Sequence, residues 1–109
     1  MITVSIFKNK AGKISGFSLA GHAGYAEEGE DIVCSAVTAL SFNTVNSIEA
    51  FCNDKIVLDV ADENEGGYLR LDLKNPSEEA LLLLKSFELG IKNICDEYGE
   101  HVNIVYSTQ

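Results

Sequence analysis

Two residues in the first third of the chain could together perform nucleophilic chemistry, a histidine at position 22 and a cysteine at position 34. A neutral imidazole can take a proton from a thiol, and the amino-terminal end of a helix stabilises the resulting thiolate. His22 follows a strand-like run, and Cys34 stands at the entrance of a helix-like run. This arrangement predicts a catalytic pair with Cys34 as the nucleophile and His22 as its base.

Each candidate also has a structural interpretation. Free cysteine is among the most buried residue types, and Cys34 stands beside apolar Val33, so it could be a core residue. His22 could be a loop histidine without a task. Asp31 could cap a helix that begins at Ile32, or it could orient His22 as a third catalytic residue. We favour capping, because the three-residue offset lets the Asp31 carboxylate accept the Cys34 backbone N–H.

A glycine-containing acidic segment joins the two candidates and reads as a substrate loop. Few apolar side chains anchor residues 23–30, so the segment should open at little cost and order over a bound peptide. The residues that we assign to this loop are Gly21, Ala23, Gly24, Tyr25 and Gly29. Tyr25 is its only apolar anchor, and we expect its ring to pack against an apolar or aromatic substrate side chain.

Hydrophobic periodicity predicts seven elements in the order ββαββαβ. The predicted strands are Thr3–Phe7, Ile14–Ala20, Lys55–Ala61, Tyr68–Leu73 and His101–Ser107, and the predicted helices are Ile32–Cys52 and the stretch from Ser77 to Tyr98. We interpret this order as an α+β fold with a mostly antiparallel or mixed sheet covered by two helices. The length fits one domain, 1–109, with one core.

Local signals mark the turns and the helix ends. Residues 9–13 and 64–67 are predicted turns, Ser77 is a predicted N-cap, and Gly99 is a predicted C-cap. The apolar positions of the first helix should be Val33, Val37, Leu40, Thr44, Ile48 and Phe51. The leucine run 81–84 is apolar on more than one side of its helix, which indicates deep burial or a dimer contact.

Charge and cysteine content exclude several functions. The formal charge is -9, which argues against nucleic-acid binding and favours a basic partner or simply solubility. No run is long enough for a membrane span and no signal peptide is visible, so we expect a cytoplasmic protein. Cys34, Cys52 and Cys95 are odd in number and scattered, which fits reduced thiols. No metal-ligand spacing is present, and we expect no metal or cofactor.

The segments Gly21-His22-Ala23 and 29–34 resemble the motif of the ribosomal-processing cysteine proteases, called Prp. That motif runs glycine, histidine, alanine, a loop, glycine, any residue, aspartate, an aliphatic residue, valine, cysteine. The resemblance extends over essentially the whole chain in length and element order. The sequence departs from the family at Ser35, where alanine is commoner, and at Thr38, where serine is commoner. Thr38 keeps the hydroxyl and with it a possible hydroxyl contact.

The resemblance implies that His22 is the general base, that Cys34 is the nucleophile, and that Asp31 is a supporting residue. It implies a homodimeric cysteine endopeptidase without a cofactor. Its substrate would be bacterial large-subunit ribosomal protein twenty-seven, whose N-terminal extension is removed after an apolar, aromatic-containing stretch during ribosome maturation. The negative charge of the chain agrees with a basic ribosomal partner.

A non-enzymatic alternative stays open at this point. In that interpretation the chain is a ribosome-assembly factor, the acidic loop binds a basic protein tail, and Cys34 is only a core residue. Thiol reactivity separates the two, because a nucleophile should alkylate fast near neutral pH and a core thiol should not.

Overall fold

A computed structural model describes residues 1–21, 30–61 and 68–109, with side chains of the first helix from Ile32 onward. The elements are β1 Ile2–Lys8, β2 Ile14–Ala20, α1 Glu30–Phe51, β3 Ile56–Ala61, β4 Tyr68–Leu73, α2 Glu78–Tyr98 and β5 Val102–Thr108. Their order confirms the predicted ββαββαβ arrangement. The strands predicted to begin at Lys55 and His101 begin one residue later. The turn predicted at 64–67 lies outside the described residues.

The five strands form one sheet in the order β3-β4-β2-β1-β5. The pairs β1–β2, β2–β4 and β3–β4 are antiparallel, and the pair β1–β5 is parallel. The sheet is therefore mixed and mostly antiparallel, as predicted. The pairing makes β2 parallel to β3, and β4 parallel to β5, with other strands between the members of each pair.

The predicted turn at 9–13 is confirmed and shows why β1 and β2 form a hairpin. The Asn9 carboxamide oxygen accepts hydrogen bonds from the backbone N–H groups of Ala11 and Lys13, each at 3.0 Å. Gly12 takes a φ of 78°, a left-handed conformation that favours glycine. These contacts fix the register in which Ile6 lies opposite Phe17.

Both helices connect parallel strands and cover the same face of the sheet. The right-handed rule for such crossovers predicts α1 over β4 and α2 over β2 and β1. The contacts of α2 with β2 and β5 agree with this placement. Leu69, Leu71 and Leu73 of β4 are buried, as expected for a strand beneath α1.

The core lies between this helix layer and the sheet. Phe17 of β2 stacks on Phe87 of α2 with ring centroids 3.9 Å apart. The two helices approach closely where Gly90 of α2 faces Leu40 of α1, because a Cβ atom at Gly90 would stand 2.6 Å from the Leu40 Cδ2. Leu40 therefore marks the side of α1 that faces α2.

The amino-terminal end of α2 forms as predicted. The Ser77 hydroxyl accepts the Ala80 N–H at 3.1 Å, which is N-cap geometry. Gly99 occupies the C-cap position with a right-handed φ of -60°. The four leucines of the run 81–84 differ in burial: Leu84 is buried, Leu82 is exposed, and Leu81 and Leu83 are half-buried.

The first helix differs from its prediction at both ends. It begins at Glu30, so Asp31 is the second residue of the helix. The sequence had predicted Asp31 as the N-cap, the residue that precedes the helix. Phe51 was expected on the buried face but is 77% exposed, and that expectation was wrong. The physical reason is length. A helix of 22 residues spans about 33 Å, whereas a strand of 7 residues spans about 23 Å, so α1 extends beyond the sheet.

Candidate active site

Cys34 lies near the start of α1 and is exposed. This placement contradicts the interpretation of Cys34 as a core residue. The thiol needs access to solvent and substrate if it is to act as a nucleophile, and the described structure provides it.

The exposure of Cys34 has a geometric cause. In an α-helix, residues seven apart lie within about 20° of the same direction. Ser41 and Ile48 follow Cys34 at that spacing, and both are fully buried. Cys34 therefore lies near the buried side of α1, but Val33 and Val37 occupy the centre of that side at this level and are fully buried. The thiol stands at the edge of the buried side and stays exposed.

Among the described side chains of α1, two that carry hydroxyl groups stand near Cys34 along the helix. Ser35 and Thr38 are exposed, and Thr38 lies one helical turn after Cys34 on a neighbouring line of the helix. One turn further, the buried Ser41 hydroxyl donates to the Val37 carbonyl oxygen at 2.6 Å. The Thr38 hydroxyl is thus accessible beside the thiol, and its predicted contact with substrate stays a prediction.

His22, the substrate-loop residues 23–29 and the side chain of Asp31 lie outside what the structure describes. Gly21 is described, and a Cβ atom there would stand 3.2 Å from the Ile2 Cγ1. The position before His22 is therefore packed against the first residue of β1, at the end of the sheet where β2 stops. The pairing of His22 with Cys34, the two roles weighed for Asp31 and the loop movement stay predictions.

The two other cysteines occupy different environments. Cys52 is half-buried and packs against the core. Burial raises the pKa of its thiol, and the negative charges of Asp54 and Glu79 raise it further. The half-buried Cys95 thiol donates to the Val102 carbonyl oxygen at 3.6 Å. Both cysteines therefore serve packing, and Cys34 is the one exposed thiol of the three.

The described residues offer no site for a metal ion. Among them, no group of three or more histidine, cysteine, aspartate or glutamate side chains stands close enough to hold one. Neither α1 nor α2 is long and apolar enough to cross a membrane.

A hydrogen-bonded group that sequence reasoning missed stands at the opposite end of α1. The Asp54 carboxylate accepts the Ser77 backbone N–H at 2.8 Å and the Ser77 hydroxyl at 2.5 Å. The hydrogen bonds from Ser77 hold the pKa of the Asp54 carboxyl below its ordinary value. The only sequence signal was an aspartate in the short connection between α1 and β3, which is too common to assign a partner.

An accessible thiol at the start of a helix is the kind of group that a cysteine-dependent enzyme uses as its nucleophile. The model of the family "Cysteine protease Prp" matches residues 1–103. The chain belongs to this family and is a cysteine protease.

Relatives resemble the chain along nearly its whole length. The ribosomal processing cysteine protease Prp of Staphylococcus aureus is 32% identical over 107 residues, which cover 97% of this chain and 99% of the relative. The crystal structure of SMU.848 from Streptococcus mutans has a TM-score of 0.87 and 38% identity, covering 100% of this chain and 96% of that one.

A second similar structure carries a ligand. It is Prp from S. aureus in complex with a substrate peptide, with a TM-score of 0.86 and 30% identity, covering 98% of this chain and 100% of that one. The same protease is also known with a covalently linked product peptide.

Proposed function

We propose that this protease removes the N-terminal extension of bacterial large-subunit ribosomal protein twenty-seven during ribosome maturation. The observation that carries the proposal is the exposed Cys34 thiol at the head of α1. Family membership supports peptide hydrolysis, and the name of the S. aureus relative supports a ribosomal substrate.

The proposed reaction is acyl transfer in two steps. His22 takes the thiol proton, the Cys34 Sγ attacks the scissile carbonyl carbon, and the C–N bond breaks as His22 returns the proton to the leaving amine. Water then attacks the thioester, which releases the carboxylic acid and restores the thiol. The covalently linked product peptide of the S. aureus relative supports a covalent step of this kind.

The start of α1 also bears on the oxyanion that forms during attack. The first four N–H groups of a helix have no partner within the helix. In a helix that begins at Glu30, the N–H of Cys34 lies where it bonds the Glu30 carbonyl. We therefore assign the oxyanion donors to backbone N–H groups that precede Cys34. Asp31, as the second residue of α1, supports this region through its negative charge in the first turn or by orienting His22.

The charge of the chain fits the proposed partner. A chain of charge -9 attracts a basic ribosomal protein and repels nucleic-acid phosphates. We infer that the enzyme works in the cytoplasm, where ribosomes are assembled, and that it binds the N-terminal segment of its substrate without a cofactor.

We also propose a homodimer that uses part of α2. Leu82 and Leu89 are both exposed and lie seven residues apart on the side of α2 that faces away from the sheet. Sedimentation of the wild type at micromolar concentration should show a dimer, and Leu82→Ser together with Leu89→Ser should shift it toward monomer. A clean monomer for the wild type would remove this part of the proposal.

Mass spectrometry of the candidate ribosomal protein tests the main proposal. Incubation with the wild-type enzyme should convert the full-length protein into one N-terminally shortened species and one short peptide. The Cys34→Ser variant, incubated in parallel, should leave the mass unchanged. A ribosomal protein that keeps its full mass with active wild-type enzyme would show that the substrate is wrong.

A further inference from the structure

The two residues of the proposed catalytic pair belong to different layers of the fold. Cys34 stands on α1, whereas His22 follows β2, which ends at Ala20. Proton transfer between a thiol and an imidazole requires the two groups to come within hydrogen-bond reach. The position of α1 relative to β2 therefore decides whether the pair can form.

The first helix is positioned by α2 more closely than by the sheet. Among the described elements, the backbone of α1 lies closest to that of α2, and no described strand approaches it as closely. Two contacts tie α1 to α2. Gly90 of α2 faces Leu40 in the middle of α1. Ser77 at the start of α2 bonds Asp54, just past the end of α1.

The second helix is in turn fixed to the strand that leads to His22. The Phe87 ring of α2 stacks on the Phe17 ring of β2, with centroids 3.9 Å apart and ring planes 20° apart. Both rings are buried in the core. Phe87 and Gly90 are three residues apart, so they are neighbours on the surface of α2. A continuous series of contacts therefore runs from β2 through α2 to α1.

Gly90 is the point of closest approach in this series. A Cβ atom at Gly90 would stand 2.6 Å from the Leu40 Cδ2, which is about 1 Å inside ordinary carbon–carbon contact. Glycine in a helix interior is unfavourable relative to alanine, because its backbone loses more freedom on folding. Gly90 lies well inside α2 and does not take a positive φ. What requires glycine at this position is therefore the close approach of α1.

We propose that Gly90 is a positioning residue for the Cys34 nucleophile. Because Gly90 has no side chain, it sets the spacing between α1 and α2. Through the stacked phenylalanines, it also sets the spacing between the thiol and the end of β2. This inference rests on the proposed pairing of Cys34 with His22, and it names a residue on which that pairing depends.

The helical structure of α1 transmits a shift at Gly90 to the thiol. Leu40 follows Cys34 by six residues, which is about 9 Å along the helix. The second contact with α2, at Asp54, holds the opposite end of α1. A displacement of α1 at Leu40 is therefore larger at Cys34. A misplacement of about 1 Å at a reacting group can lower a catalytic rate by about a hundredfold.

Steady-state cleavage of a peptide that spans the mapped junction tests the role of Gly90. Gly90→Ala should lower kcat by about tenfold and change KM by less than about twofold, because the peptide still binds while the thiol is misplaced. Leu40→Val removes the atom that the new methyl group would meet. The double variant should therefore regain kcat to within about twofold of the wild type. Ser86→Ala, at an exposed position of α2, is the control and should leave kcat unchanged.

The pH dependence of Cys34 alkylation gives a second readout that needs no substrate. In the wild type, pairing with His22 should make the thiol reactive near neutral pH. In Gly90→Ala the rate near pH 7 should fall by about fivefold, and the profile should move toward that of an ordinary thiol. Leu40→Val in the same chain should restore the profile. A loss of stability alone would not move it in samples that circular dichroism shows to be folded.

Three results would overturn the inference. A folded Gly90→Ala variant with the kcat and alkylation profile of the wild type would show that the spacing at this point does not matter. A loss of activity that Leu40→Val does not restore would show that the effect does not pass through Leu40. If Gly90→Ala alone does not fold, the double variant should fold and cleave within about twofold of the wild type. A double variant that cleaves more slowly, or that also fails to fold, would be the third such result.

Failure of the proposed function would give a different pattern. If the ribosomal protein is not the substrate, the wild type leaves its mass unchanged, but the alkylation profiles of the wild type, Gly90→Ala and the double variant still differ as stated. If His22→Ala leaves the alkylation of Cys34 unchanged, the catalytic pair itself is rejected, and the positioning role of Gly90 is rejected with it.

Discussion

The two helices begin in contrasting ways, although both start at an end of the same sheet. At α2, Ser77 caps the helix and is itself held by two hydrogen bonds to Asp54. Glu78 and Glu79 add favourable charge to that first turn. At α1, Ile32, Cys34 and Ser35 are exposed beside the buried Val33.

The contrast separates a helix start built for stability from one that supplies a reactive group. The electrostatic benefit of an amino-terminal helix end is available at both places. At α2, the Asp54 carboxylate and the Ser77 cap occupy the start of the helix, and their hydrogen bonds anchor the chain between α1 and β3. At α1 the described side chains include an accessible thiol, which a substrate can reach. Substitutions at the start of α1 should therefore change the rate of cleavage, and substitutions at the start of α2 should change the free energy of unfolding.

The largest effect is expected from Cys34→Ala. Cleavage should fall by at least about a thousandfold, because no other described thiol is exposed at a helix start. The unfolding free energy should stay within about 0.5 kcal/mol of the wild type, since the side chain is exposed. Cys95→Ala is the control and should retain cleavage if it folds. Undiminished cleavage by purified Cys34→Ala would show that Cys34 is not the nucleophile.

Ser77→Ala should produce the opposite pattern. The substitution removes the cap of α2 and the hydroxyl bonded to Asp54, so the unfolding free energy should fall by about 1–2 kcal/mol. Cleavage per folded molecule should not change. Ser86→Ala, at an exposed position of the same helix, should change stability by less than about 0.5 kcal/mol. Denaturant unfolding monitored by circular dichroism measures both, and equal stabilities would contradict the role of the cap.

A smaller effect should appear in the pH dependence of stability. The pKa of Asp54 is lowered in the folded chain by its hydrogen bonds with Ser77. The stability that Asp54 contributes is therefore fully present above the pKa that this carboxyl has in the unfolded chain. It is lost as the pH falls through the lower pKa of the same carboxyl in the folded chain. Stability should decline as the pH drops below about 4, and Asp54→Asn should flatten that decline. Identical slopes for both proteins would show that Asp54 does not contribute.

The sequence predicted most of the fold because alternation and helical periodicity are strong in this chain. Leu69, Leu71 and Leu73 alternate and are buried, and Ser77 caps α2 as its sequence indicates. The prediction that failed, the burial of Phe51, depends on the length of α1 relative to the sheet. Phe51 continues the apolar pattern of α1 but lies beyond the core, since periodicity says which side a residue occupies and not whether a sheet lies beneath it.

The candidate active site also shows what the sequence pattern cannot decide. The sequence could nominate Cys34 from its place at a helix entrance, but its exposure beside the buried Val33 and Val37 became visible only in the structure. Asp54 was likewise invisible as a partner of Ser77, since the two are brought together by the packing of separate elements.

The most direct test of the central claim is the alkylation rate of each thiol, followed by mass spectrometry across a range of pH. Cys52 is an internal reference, because burial raises the pKa of its thiol and slows its reaction near neutral pH. We predict that Cys34 is modified first near pH 7, and that His22→Ala slows that reaction by at least about tenfold while leaving the rate at Cys52 unchanged. A Cys34 that reacts no faster than Cys52, or at a rate that His22→Ala does not change, would contradict the assignment of a catalytic cysteine–histidine pair.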